Sequence, residues 1–130
     1  MRLFYLIIFL WLCAIGCTPA TTQPATPILL FSSENISLTL TPGHAPVETP
    51  LTLNLTADDL AAVSGELSGV TMYMGIVPLR FSQIAENQWQ AEFLLGACSE
   101  PQMQWQLMLL LLNKQGEKFT IKQTLQSSWH

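Results

Sequence analysis

The chain is poor in charge, in histidine and in cysteine that can be paired. Only 11% of its 130 residues are charged, with 5 Lys+Arg against 9 Asp+Glu and a net of −4 at pH 7. That balance excludes a surface that tracks phosphates, because nucleic-acid binding needs clustered cations. The two histidines, His44 in a proline-bounded turn and His130 at the C-terminus, cannot form a zinc-binding pair at helical spacing. No pattern supports a Cys98–His44 dyad, and no Gly-rich phosphate loop is present. Asp58 and Asp59 are adjacent, which suits a helix start better than a general acid/base pair. No enzymatic constellation remains.

What is there begins with "MRLFYLIIFLWLCAIGC". Arg2 precedes a nearly unbroken apolar run from Leu3 to Ile15. At about 1.5 Å per residue, such a run is short for a hydrocarbon core of about 30 Å and fits a secretory signal. "AIGC", Ala14 to Cys17, resembles a bacterial lipobox, in which the cysteine is acylated and becomes the new N-terminus. The alternative is an uncleaved anchor helix with an incidental cysteine. The resemblance implies a signal peptide over residues 1–16 and lipidation at Cys17. Thr18 in place of aspartate implies outer-membrane rather than inner-membrane sorting. Several acyl chains hold firmly where one holds marginally, since each buried methylene contributes about 0.8 kcal/mol. Loss of Arg2 with the signal leaves 4 basic against 9 acidic residues, a net of −5. Cys98 is then the one free thiol, open to burial, reactivity, metal binding or pairing between chains.

Residues 17–30 read as a lipidated tether rich in Thr, Pro and Ala, and residues 31–130 as the folded domain. Period-2 alternation then dominates. Ile36, Leu38 and Leu40 point one way, as do Leu51, Leu53 and Leu55. "TADDLAAVSGEL" predicts a helical turn capped by Thr56. "GVTMYM" predicts a strand with Val70, Met72 and Met74 on one face. "VPLRFSQI" and "WQAEFLL" alternate in turn. "MQWQLMLLLLN" predicts a central strand buried on both sides, because Met108 and Leu110 oppose Trp105, Leu107 and Leu109. "NKQGEK" turns into a last strand with Phe119 and Ile121 inward. About seven short strands with near-regular turns predict an all-β fold, an immunoglobulin-like antiparallel β-sandwich. Without an inter-sheet disulfide, Trp89 and Trp105 are its expected anchors.

Sulfur is the remaining chemistry. Met72, Met74, Cys98 and Met103 are candidate metal ligands, since thiolate and thioether donors select Cu(I). Cys98 and Met103 flank a Pro-containing turn and can converge at a sheet end. Core packing competes with this reading, because methionine fills gaps well and Met103 is in phase with Trp105.

"GVTMYMG", "IVPLRF" and "QWQAEFLLGACSEPQMQWQLMLLL" together resemble the exported β-sandwich domains of the FixH/YtkA-like group, over roughly residues 45–125. The resemblance implies copper handling and oxidase assembly by a small non-enzymatic accessory domain. Its matching positions are Met72, Met74 and Trp105. The His-containing methionine motif of a copper site is missing. Two functions follow as expectations. One is an envelope lipoprotein, held to the membrane by its lipid, that binds or delivers Cu(I). The other is a structural or protein-interaction module of the envelope with no metal.

Overall fold

Alternating side chains make strands, and strands with one apolar face must bury it against a second sheet. A computed structural model describes residues 25–129 of the chain; residues 1–16, Cys17 and His130 lie outside them. Nine strands form: β1 (Ile28–Ser33), β2 (Ile36–Thr41), β3 (Leu51–Ala57), β4 (Leu60–Gly69), β5 (Ile76–Arg80), β6 (Ser82–Ala85), β7 (Gln88–Phe93), β8 (Gln104–Asn113) and β9 (Lys118–Gln126). No helix occurs among the described residues. The sheets run β1-β2-β3-β7-β6 and β5-β4-β8-β9, with every ladder antiparallel. The order β2-β3-β7-β6 facing β5-β4-β8-β9 is that of an immunoglobulin-like sandwich, with β1 added outside β2.

Three local expectations are corrected. The segment expected to open a helix is a two-residue turn at Asp58 and Asp59, which carries the chain from one sheet to the other. Asp59 takes φ 55°, in the left-handed region that acidic and amide residues tolerate. Beyond it, a bulge between Leu60 and Ala62 shifts the phase of β4. The residues facing inward are then Leu60, Val63 and Leu67, whose spacing of three and four mimics a helix.

The segment 70–75, expected as a strand, is the loop between β4 and β5. The ladder continues only to Val70, whose N–H donates to Gln104 O at 2.8 Å. Thr71 Oγ1 then accepts from Gln104 N, and the chain doubles back. Its return brings Met72 O so close to Gly69 that a Cβ there would collide with it. Gly75 completes the reversal at φ 78°.

The third correction concerns β8. It is central in its sheet, but Met108 and Leu110 are exposed, so only one face is covered. The strand count also rises above the expected seven. "VPLRFSQI" splits at Phe81, where the chain switches sheets between β5 and β6. β1 opens at Ile28, inside the expected tether, because Leu30 and Phe31 pack against the core.

Leucine dominates that core. Leu38, Leu40, Leu51, Leu53 and Leu55 from one sheet meet Leu67, Leu107, Leu109 and Leu111 from the other. Trp105 is 1% exposed, and its Nε1–H donates to Ser127 Oγ at 3.1 Å. Trp89, the other expected anchor, is half-buried, and its buried Nε1 has no hydrogen-bond partner. We expect Leu109→Ala to lower the unfolding free energy by about 2–5 kcal/mol. Leu110→Ala, one residue on but facing out, should change it by no more than about 0.5 kcal/mol. Urea unfolding of the two variants checks the assignment of faces.

Candidate functional site

The sandwich has two unlike ends. At one, tight turns connect β1 to β2, β3 to β4, β6 to β7 and β8 to β9. At the other, three longer loops gather: 42–50, 70–75 and 94–103, together with the C-terminal residues 127–129. Backbone bonds lace this loop end together. Glu48 N donates to Leu95 O at 2.8 Å and Val47 N to Ser128 O at 2.9 Å. Ser128 Oγ donates to His44 O at 2.7 Å.

The sulfurs lie at this end. The Cys98 thiol is half-buried and lies 3.4 Å from Met103 Sδ and 3.3 Å from Glu100 O. Alternation explains the pairing: Met103 is two residues before Trp105, so the same inward phase buries it to 1% exposure. The turn through Pro101 then brings Cys98 back onto it. Met74 packs half-buried against the core, with its Cε 3.7 Å from the position a Cβ would take at Gly96. Met72 is 40% exposed on the loop surface. The fold therefore brings Cys98 and Met103 together and sets Met74 against the same loop. Met72 is not shown to join them, and the shared strand face expected for Met72 and Met74 does not form.

Chemically, a Cys98 thiolate beside the Met103 thioether would offer two soft donors at one point, with Met74, set against the same loop at Gly96, a candidate for a third. Such a set suits Cu(I) better than a hard cation. No group of three or more His, Cys, Asp or Glu residues placed to hold a metal occurs among the described residues. His44 is exposed and contributes its backbone carbonyl, not its ring, to the bonding here.

A second feature went unread in the sequence. On the outer face of the four-stranded sheet, Ser64, Gly65, Glu66, Met108, Leu110 and Thr120 line an open depression of about 270 Å³. Glu66, Met108 and Lys122 stand at one level across β4, β8 and β9. A solvated antiparallel face normally carries polar residues. The signal was the unbroken run "LMLLLL", which fits a two-sided burial equally well.

No family model matches the chain, and no curated protein matches it. Among solved structures, it is similar to the crystal structure of a DUF4426 family protein from Pseudomonas aeruginosa PAO1. The match has a TM-score of 0.52 at 13% identity and covers 78% of this chain and 94% of that one. At that identity the likeness speaks to the β-sandwich alone. The depth difference between the methionines is open to measurement. Met103→Ala should destabilise by about 2–5 kcal/mol, whereas Met72→Ala should stay within about 0.5 kcal/mol, as read by chemical denaturation.

Proposed function

We propose that the chain is a lipid-anchored, non-enzymatic accessory domain of the bacterial envelope that holds Cu(I) at the loop end of its sandwich. Supporting the anchor is the lipobox-like "AIGC" ending at Cys17, after a short apolar run and before an uncharged Thr/Pro-rich stretch. Supporting the metal is one observation: Cys98 Sγ and Met103 Sδ, from separate positions in the β7–β8 loop, lie 3.4 Å apart. Thr18 favours the outer membrane as the site of anchoring. Cu(I) titration under reducing conditions, against a chromophoric chelator, tests the metal. The expected result is one ion per chain, lost in Cys98→Ser and weakened in Met74→Leu. Binding no tighter than weak micromolar in the unsubstituted protein would end the copper reading.

The open face of the four-stranded sheet favours a second reading, a protein-interaction module with no metal. Its support is the exposure of Met108 and Leu110 in mid-sheet. A photo-crosslinking residue at position 110 of the full chain, in cells, should yield an adduct of defined mass that Met108→Asp abolishes. The same residue in place of Glu92, on the outer face of the other sheet, should yield none. Equal yields at both positions would remove this reading.

A further inference from the structure

We propose that the loop end docks by apolar insertion on the lipid surface that anchors Cys17. The inference rests on the lipid-anchor part of the proposed function and is independent of copper. Its first support is where the tether enters. Ile28, the first residue of β1, pairs with Leu40 near the close of β2, and Thr26 O accepts from Gly43 N at 2.8 Å. The chain therefore reaches the body at the loop end. Residues 18–27 separate Cys17 from β1, and ten residues span at most about 35 Å when fully extended. A tether that short keeps the loop end at high effective concentration over the bilayer, so a weak intrinsic affinity is enough to seat it.

The second support is what that end displays. Twelve large hydrophobic residues are exposed among the described residues. Four of them, Ile84, Met108, Leu110 and Phe119, lie elsewhere on strands. The rest gather at the loop end, where Leu29, Val70, Tyr73, Ile76, Leu94 and Trp129 are the most exposed. Tyr73 is 84% exposed at the tip of the β4–β5 loop. Tyrosine and tryptophan suit the headgroup level of a bilayer, because each has an apolar ring and a polar handle.

Charge narrows the mode of binding. The Lys and Arg residues of the described chain are Arg80, Lys114, Lys118 and Lys122, and none lies in the loops of this end. Those loops carry Glu48 and Glu100. Attraction to anionic headgroups therefore cannot drive the contact, and burial of apolar side chains must. The turns at the opposite end carry Glu34, Asp58, Asp59, Glu86 and Glu117, and docking points them away from the lipid.

The test uses the full lipidated chain in a Cys98→Ser background, with a bimane fluorophore on Tyr73→Cys or on Lys114→Cys at the opposite end. The protein is reconstituted in phosphatidylethanolamine vesicles whose acyl chains carry bromine. Quenching should be about threefold or more greater for the label at position 73 than at 114, and unchanged when phosphatidylglycerol or 0.5 M salt is added. Leu94→Asp together with Val70→Asp should abolish the difference while leaving the protein on the vesicles. Equal quenching at the two positions in protein that floats with the vesicles overturns the docking and leaves the anchor standing. Loss of quenching on adding salt overturns apolar insertion. Protein that does not float overturns both the anchor and the docking. A label at position 73 that is shielded in cells yet unquenched in pure lipid assigns this end to a protein partner, and also overturns the inference.

Discussion

The whole structure depends on a seam of leucine side chains packed between two sheets that no disulfide joins. Fully burying a leucine contributes about 1.5–3 kcal/mol, and nine leucines meet across this seam with Trp105 among them. At Gly65 the packing leaves no spare room: a Cβ there would run into Leu109 Cδ2 and lie 3.0 Å from Met108 O. Interiors this dense tolerate neither added nor removed methylenes well. With the two sheets held by side-chain contact, each strand must keep its phase between irregularities, and the ladders shift register in β1, β4 and β6.

That seam also organises the loop end. Ser127 is drawn inside by the Trp105 Nε1–H bond, and its own N–H donates to Met103 O at 2.9 Å. Met103 is buried by the phase it shares with Trp105, and Cys98 follows it through the Pro101 turn. The sulfur contact is therefore a consequence of core packing, whichever use is made of it. Around it the loops carry apolar side chains outward, since the ends of a sandwich have no second layer to cover them. Cys98 and Met103, the exposed rings of Tyr73 and Trp129, and the entry of the chain into β1 thus share one end, and most of the acidic turn residues occupy the other.

Much of this was legible in the sequence where the period was clean. Residues 36–41 and 51–57 alternate without interruption and fold as strands with the expected inward residues. Residues 118–126 also fold as a strand with Ile121 inward, but Phe119, expected inward beside it, is left exposed at the start of β9. Reading failed where one residue changed the phase or where backbone alone decided. Leu60, Val63 and Leu67 looked helical because a bulge hides in their spacing. Val70, Met72 and Met74 alternated as a strand does, yet Gly69 and Gly75 fold that segment into a loop. Phe81 looks like one more inward residue of a continuous strand, and it is the crossing point between sheets. The contact of Cys98 with Met103 was foreseen from their places around a proline turn, while the exposure of Met108 and Leu110 was not.

By itself the sequence determined the fold class, allowed Cys98 and Met103 to converge across their proline turn, and supplied few cations, 5 Lys+Arg against 9 Asp+Glu. These follow from local alternation, short spacings and composition, which need no knowledge of distant contacts. Only the tertiary structure decided which apolar residues are covered and which end of the body the chain enters. Burial depends on whether a second layer lies over a face, and that is a property of the assembled sheets, not of any strand read alone.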